Sequence, residues 1–506
     1  MRHRLPTEKG CGASDRSDPF HQDPLPIATP LPCLRTLSTL LLCFCVARTS
    51  LADSAPPETI PAQDATQAAT QAATQTHSVA NAASPPSPRR PESLPVPPST
   101  RTRSLPLQPL TTVRALPEIP GKRKGIRFQA ECLPGPRYRI LAVGDLLLHD
   151  RLQKQAQRQG SFVPLWKSFA PQLEQADVSY VNLEGPAAAG VNALGENVRD
   201  PGPVFDRRVY NAFPFFNYPP RLLQDLAASG FDVLSLGNNH ILDRNALGID
   251  RTIDALERTG LAYTGARRSD HEITSRPWHA RVTRNGLSTV WISCTYGTNG
   301  IVDYRHQVLH CFQHQEVIKA LVTEWRDQVD AVLITPHWGT EDSIIPRPEQ
   351  GRFAKEMLEL GALAVLGSHP HTPQPMTKHR TRDGRETLIL HSLGNFVNGQ
   401  SRLWQKTAMI LLLDLVRHAG RVAIRQVHYL PGFMEQDSDG AASLQPLDPD
   451  TPHPGLTHLL KVLPRANMAT PATETVRDHH APSCLSQAAA MDRPADPDVT
   501  PVTSTP

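Results

Sequence analysis

The sequence lacks the marks of three common classes of protein. Its 8 cysteines include no Cys-x-x-Cys pair, so a zinc ribbon or a thioredoxin-like redox site is not expected. No block of Lys and Arg is interleaved with aromatic residues, and the formal net charge is only +3, so nucleic acid is not an expected partner. The apolar run at residues 37–47 is too short to span a membrane as a helix.

That apolar run has the layout of a secretory signal peptide. Arg35 precedes it, and small residues follow at Ser50 and Ala52, the two positions that a signal peptidase reads. The sequence therefore predicts cleavage near Ala52 and an exported protein, periplasmic or associated with the cell envelope. A membrane anchor and an incidental apolar patch remain alternatives, because residues 1–32 make an unusually long segment before a signal.

The two ends of the chain have the composition of disordered segments. Many of the 49 prolines lie in the first 120 and the last 70 residues, where periodic apolar runs are scarce. Such segments cannot bury enough apolar surface to offset the entropy of ordering them. The predicted organisation is an N-terminal segment with a signal peptide at 1–52, a disordered Pro/Ala/Thr-rich linker at 53–136, one globular domain at 137–432, and a disordered tail at 433–506.

The central region alternates between short apolar runs and segments of helical period, which is typical of a layered α/β fold. The predicted strands share an apolar run bounded by turn residues, and they are 138–143, 178–182, 233–236, 282–286, 289–293, 331–335, 364–366, 388–391, 409–415 and 422–429. The predicted helices share a 3.6-residue apolar period, and they are 162–175, 221–229, 249–258, 316–328 and 349–360.

Side chains that ligate metals follow most of these strands directly. The clusters are Gly144-Asp145, Asn182-Leu183-Glu184-Gly185, Asn238-Asn239-His240 with Asp243, His337-Trp338-Gly339, and Ser368-His369-Pro370-His371. In layered α/β proteins the crevice beyond the strand carboxyl ends is where sites assemble. Carboxylate and imidazole ligands together suit one or two divalent ions of Mn, Fe, Zn or Mg.

The order GD, NLEG, NNHILD, HWG, SHPH and SLGNF resembles the CapA family of poly-γ-glutamate capsule synthesis proteins, which is related to the calcineurin-like metallophosphoesterases. The resemblance covers residues 137–432. It implies a four-layer αββα sandwich, with two sheets packed face to face and helices outside. It also implies a role in capsule polymer synthesis or export with a metal-dependent hydrolase-type site. The expected partners are an anionic polymer or phosphoester substrate and other capsule-synthesis components at the membrane.

The resemblance also implies residue roles. The expected metal ligands are Asp145, Glu184, Asn239, His337, His369 and His371. Glu184 takes the place of the bridging carboxylate, His337 and His369 complete one metal, and His371 serves the other. The expected catalytic residues are His240 and Asp243, and the expected substrate-binding residues are Asn182 and Asn395. Pro370 predicts an extended segment that places both flanking imidazoles on one face.

Two departures from the phosphoesterase pattern leave the number of metals open between one and two. Leu147 stands where that pattern has histidine, with His149 two residues further, and Glu184 stands where it has aspartate. A general exported metallophosphoesterase and a non-catalytic polymer-binding or assembly factor with a structural metal remain alternative functions. Whether Cys294 and Cys311 form a bridge or remain two buried thiols also stays open.

Overall fold

The computed structural model describes residues 123–269 and 277–470. The signal peptide and most of the predicted linker lie outside these residues, as does the chain beyond 470. Within the described ranges, no helix combines the length and the apolar character that crossing a bilayer requires.

Fourteen strands and eight α-helices form the domain over the described residues. The strands are β1 Arg137–Leu147, β2 Val178–Leu183, β3 Val233–Ser235, β4 Ala262–Thr264, β5 His279–Arg284, β6 Leu287–Thr295, β7 Ala331–His337, β8 Ala364–Leu366, β9 Met376–Arg380, β10 Glu386–Leu390, β11 Asn395–Asn398, β12 Thr407–His418, β13 Arg421–Gln436 and β14 Ala442–Pro446. The helices are α1 Asp150–Gln159, α2 Ala170–Glu174, α3 Arg221–Ala228, α4 Asn245–Thr259, α5 Gln315–Trp325, α6 Pro348–Leu360, α7 Leu403–Lys406 and α8 Pro454–Leu459.

The strands form two mixed sheets. The first has the order β14-β13-β12-β1-β2-β3-β4, with β11 also paired to β1, and the second has the order β5-β6-β7-β8-β10-β9. Strands β1 to β4 run parallel in the first sheet, and β6, β7, β8 and β10 run parallel in the second. Each sheet therefore gathers the carboxyl ends of its central strands at one edge.

The two sheets pack face to face. Tyr180 of β2 stacks on Trp291 of β6 with ring centroids 5.0 Å apart and planes 2° from parallel. Ile140 and Leu333 belong to the same buried cluster between the sheets. The next residue along each of these four strands packs with the helices on the outer face of its own sheet, Leu141 and Val181 in one cluster and Ile292 and Ile334 in another. This alternation is the period of two of a β-strand, and it confirms the predicted αββα sandwich.

Proline accounts for one difference from the predicted helices. The expected helix over residues 162–175 is replaced by two single turns and the short helix α2. Pro164 and Pro171 lie in the first turns of these pieces, because proline has no N–H to donate inside a longer helix. Helix α1 was not predicted, since Leu152 and Ala156 are its only buried apolar side chains in a mostly polar segment.

The ordered domain is wider than the predicted 137–432. Strand β14 and helix α8 follow β13, and Leu444 and Leu459 within them are fully buried, so the prediction of a disordered tail is wrong for residues 433–470. On the other side, the backbone N–H of Ile126 donates to Asn467 Oδ1 at 2.8 Å, and Asn467 Nδ2 donates to the Ile126 carbonyl at 2.9 Å. Buried leucines and the hydrogen bonds of Asn467 hold these flanks to the domain despite their polar composition.

Cys294 and Cys311 form a disulfide across 17 residues, and both are fully buried. The bond ties the carboxyl end of β6 to the chain that enters α5. Closing a loop of this length should stabilise the protein by about 3 kcal/mol, mainly by restricting the unfolded chain. We expect the double variant Cys294→Ala/Cys311→Ala to lose about this much free energy of unfolding in urea titrations. An unchanged denaturation midpoint and slope would show that the bond adds no stability.

Candidate metal centre

The six expected ligands are gathered at one edge of the sandwich, each at or just beyond the carboxyl end of a parallel strand. They are Asp145 in β1, Glu184 after β2, Asn239 after β3, His337 at the end of β7, and His369 and His371 after β8. None is more than 3% exposed. Both sheets contribute, so the site forms where their carboxyl edges meet.

Gly144 allows the close backbone approach that places Asp145. A Cβ atom at this position would lie 1.8 Å from the carbonyl oxygen of Gly394. The Asp145 N–H donates to that same carbonyl at 3.0 Å, and β11, which begins at Asn395, pairs with β1 here. The GD and SLGNF motifs therefore contact each other in the fold.

The loop after β8 differs from its prediction. His369 and His371 have φ values of +97° and +55°, in the left-handed region that non-glycine residues rarely occupy. The segment is therefore not extended around Pro370, and that part of the prediction is wrong, although the two imidazoles still reach the same centre with ring centroids 6.0 Å apart. The Asp145 side chain helps to hold this loop, because its Oδ2 accepts from the His369 N–H at 3.1 Å.

The acidic and imidazole ligands fall into two trios that share one carboxylate. Glu184 with His337 and His369 forms the first, Asp145 with Glu184 and His371 the second, and within each trio the ligand atoms lie within 4.8 Å of one another. Glu184 Oε1 lies 3.5 Å from His337 Nε2 and 3.9 Å from His371 Nε2. This is the arrangement expected of a carboxylate between two cations.

Asn239 belongs with the first trio. Its Oδ1 lies 2.7 Å from His337 Nε2, within hydrogen-bond distance, so the amide oxygen faces the ligands of this trio. The amide oxygen supplies a neutral fourth donor beside Glu184, His337 and His369. Oxygen and nitrogen donors together suit Zn, Mn or Fe.

Several buried polar atoms in the centre have no hydrogen-bond partner among the described residues. Both carboxylate oxygens of Glu184 and the Nδ1 atom of His369 accept or donate no hydrogen bond. A buried carboxylate without partners costs several kcal/mol unless a cation or donor satisfies it. These orphaned atoms lie within the two trios, so the residues present fit a divalent metal centre.

The ionisable groups of the centre shift one another's pKa values. Burial opposes ionisation of Glu184, yet His371 and His337 hold its pKa well below the usual range. Burial lowers the pKa of His369 well below its ordinary value, and His337 and His371 lower it further. Burial also acts against a charged His371, but Glu184 and Asp145 raise its pKa to about 10. A cation that binds at His371 must therefore displace a proton.

His240 and Asp243 form a pair beside the trios. Asp243 Oδ2 lies 2.7 Å from His240 Nδ1 and accepts from the Phe216 N–H at 2.7 Å. The edge of the His240 ring packs against Phe216 with centroids 4.9 Å apart. Burial disfavours the charged ring, but Asp243 raises the pKa of His240. Because Asp243 occupies Nδ1, Nε2 is the nitrogen that remains for a substrate.

Asn182 and Asn395 lie behind the ligands instead of facing a substrate. Asn182 Nδ2 donates to Asp145 Oδ1 at 2.7 Å and contacts His337 Nδ1 at 3.2 Å. Asn395 Oδ1 lies 3.0 Å from His371 Nδ1. Both side chains are fully buried, so their prediction as substrate-binding residues does not match this placement. They orient the ligands, as outer partners of metal ligands commonly do.

His149 is not a member of either trio. It is the residue before α1, and its Nδ1 accepts from the Gly399 N–H at 3.3 Å. Three further contacts were not predicted: Ser368 Oγ lies 2.9 Å from His337 Nδ1, the Tyr296 ring packs on His369 with centroids 4.5 Å apart, and Asn299 bonds to Asn239. Tyr296 and Asn299 follow β6, whose carboxyl end carries no Asp, Glu or His to signal a site.

Comparisons with known proteins find similarity to bacterial capsule synthesis proteins. A family model described as "Bacterial capsule synthesis protein PGA_cap" matches residues 139–400. The "Capsule biosynthesis protein CapA" of Bacillus anthracis is 25% identical over 273 residues, which cover 52% of this chain and 60% of that protein. The "PGA biosynthesis protein CapA" of Bacillus subtilis is 26% identical over 187 residues, covering 37% of this chain and 46% of that protein.

Solved structures are similar at much lower identity. The calcineurin-like phosphoesterase YfkN of Bacillus subtilis is 14% identical, with 59% of this chain and 91% of that chain covered and a TM-score of 0.35. A phosphatase of Mycoplasma pneumoniae is 12% identical, with 59% and 94% covered and a TM-score of 0.34. The chain thus spans less than two thirds of the two curated relatives and nearly the whole of these two structures.

Proposed function

The chain belongs to the bacterial capsule synthesis protein PGA_cap family, and from that membership we propose that it acts in the synthesis or export of a capsule polymer through a metal-dependent hydrolase-type site. The observation that carries the proposal is the pair of ligand trios that share Glu184. Divalent cations held there would polarise a phosphoryl oxygen and lower the pKa of a bound water.

The protein's own residues suit phosphoester hydrolysis. Asn182 and Asn395 hold Asp145 and His371 in place, so the ligands are ordered before a substrate arrives. The His240–Asp243 pair supplies a group that can give a proton to the leaving oxygen. Its position next to Asn239 in sequence keeps this proton close to the first trio.

The substrate class follows from the same residues and the family. We propose a phosphoester or an anionic capsule polymer, and the polymer-synthesis role is proposed from the similarity to the Bacillus capsule biosynthesis proteins. Other capsule-synthesis components at the membrane are the proposed partners. Export is proposed from the signal-like residues 37–52, and the buried Cys294–Cys311 bond is of the kind that persists in oxidising compartments.

The test uses the full chain. Elemental analysis should find one or two divalent ions per chain, and assays should show chelator-sensitive hydrolysis of phosphoesters, with γ-glutamyl amides assayed in parallel as the other bond of a poly-γ-glutamate system. Hydrolysis of γ-glutamyl amides but not of phosphoesters would show that the substrate is the polymer backbone and not a phosphoester. Bound metal without any hydrolysis would favour an assembly factor with a structural metal. A chain that binds no divalent ion would contradict the proposal.

A further inference from the structure

Asn299 is an exposed residue with an uncommon backbone conformation beside the metal centre. It lies in the loop after β6, and its φ is +52°, followed by Gly300 at +78°. Although it is exposed, its Oδ1 accepts a hydrogen bond from Asn239 Nδ2 at 3.0 Å. Left-handed backbone at a non-glycine residue is often found where a side chain must be held at a functional site.

The bond to Asn299 decides which end of the Asn239 amide faces the ligands. An amide has an accepting oxygen at one end and a donating nitrogen at the other. With Nδ2 bound to Asn299, the Asn239 oxygen lies next to His337 Nε2 at 2.7 Å. A rotated amide would present N–H groups to the cation, which cannot bind them. The acceptor on Asn299 therefore selects the orientation that can ligate a metal.

Among the described residues, the Nδ2 atom of Asn299 has no acceptor at a short hydrogen-bond distance. It lies 3.5 Å from both ring nitrogens of His240, too far for a well-formed hydrogen bond. The equal distances show that neither ring nitrogen is a preferred acceptor for this amide nitrogen. Two N–H donors thus lie beside His240 at the solvent-exposed rim of the centre.

We propose that Asn299 serves this centre with both ends of its side chain. Oδ1 positions the Asn239 amide for a divalent cation, and Nδ2 binds an oxygen of a phosphoryl group next to His240. The inference rests on the proposed function, since it requires that the two trios hold metal. No motif of the sequence assigned a role to the loop after β6.

The turn itself would need only a residue that tolerates positive φ, and glycine does so best. Asn299→Gly therefore keeps the turn and removes the amide. Asn299→Asp keeps an accepting oxygen for Asn239 and replaces the N–H donors with a second oxygen. The chain also offers a matched control, because Asn285-Gly286 in the turn between β5 and β6 is exposed and has φ values of +49° and +83°. Asn285 bonds to Asp177, not to the centre.

The experiment titrates full-length metal-free protein with Mn²⁺ by calorimetry and then titrates the loaded protein with inorganic phosphate. Asn299→Gly should weaken Mn²⁺ binding by about 10–100-fold, as loss of an outer partner of a ligand does. Asn299→Asp should keep Mn²⁺ binding and weaken phosphate binding by about tenfold or more, since a donor to an anion is lost. Asn285→Gly should match the wild type in both titrations.

Each result is decisive. Mn²⁺ binding by Asn299→Gly at wild-type strength would overturn the positioning role, and phosphate binding by Asn299→Asp at wild-type strength would overturn the donor role. An equal loss of Mn²⁺ binding in Asn299→Gly and Asn285→Gly would assign the effect to turn stability and overturn the proposal. A wild-type protein that binds no Mn²⁺ would contradict the proposed function as well, which separates the two failures.

Discussion

Replacing Glu184 with glutamine should reduce the metal content of the centre and lower the rate of phosphoester hydrolysis by at least about 10³-fold. Metal ions at such a site supply several kcal/mol of transition-state stabilisation. Glu184 is the one acidic ligand common to both trios among the described residues. A glutamine oxygen can still approach a cation, but the negative charge that offsets two neighbouring cations is gone. Metal analysis and steady-state assays measure the two effects.

Thermal unfolding separates this loss of metal from a loss of fold. Glutamine keeps the shape of the side chain but removes the negative charge that raises the pKa of His371, so the metal-free variant should be somewhat less stable than the metal-free wild type. Each protein is therefore compared with itself, with and without Mn²⁺. At a Mn²⁺ concentration of 100 times Kd, binding should stabilise the wild type by about 2.7 kcal/mol and the variant by far less. Equal stabilisation of both proteins would contradict a shared carboxylate.

The control for this experiment is Glu341→Gln. Glu341 is exposed in the loop after β7 and lies close enough to affect the pKa of His371, yet it belongs to neither trio. It carries the same chemical change near the same centre. Metal content and hydrolysis should therefore remain at the wild-type level, and a matching loss would assign the Glu184 effect to general electrostatics.

The layers of the fold could be predicted because the central strands have a clear apolar pattern. Strands β2, β6 and β7 are buried on both faces, as expected for strands that lie between helices and a second sheet. The flanks were missed for the opposite reason. Residues 437–470 are rich in Pro and Asp, and their order depends on single contacts such as the burial of Leu444 against the long strand β13. A prediction from the composition of a segment cannot detect such single contacts.

The candidate site could be predicted only in part. Asp, Glu and His at strand ends identify ligands because few structural roles require these residues in buried positions. Asparagine gives no such signal, since an amide serves equally as a ligand, a support or a turn residue. Asn182, Asn239 and Asn299 take three different positions in the centre, and only tertiary contacts distinguish them.

His240→Asn should lower hydrolysis of alkyl phosphoesters by about 10²–10⁴-fold, the usual effect of losing a positioned general acid. The variant should still bind Mn²⁺ as the wild type does, because His240 belongs to neither trio. The control is His306→Asn, an exposed histidine at φ +51° that asparagine can replace without backbone strain. It should leave the rates unchanged.

The leaving group makes this last test specific to proton donation. An alkoxide is a poor leaving group and needs a proton as the bond breaks, whereas a nitrophenolate leaves readily without one. If His240, held at Nδ1 by Asp243, gives that proton, the variant should lose far more activity on an alkyl phosphoester than on a nitrophenyl phosphoester. An equal loss on both substrates would mean that His240 binds the phosphoryl group instead, since that contact is independent of the leaving group. The ratio of the rates on the alkyl and the nitrophenyl phosphoester therefore shows whether His240 donates a proton or only binds the phosphoryl group.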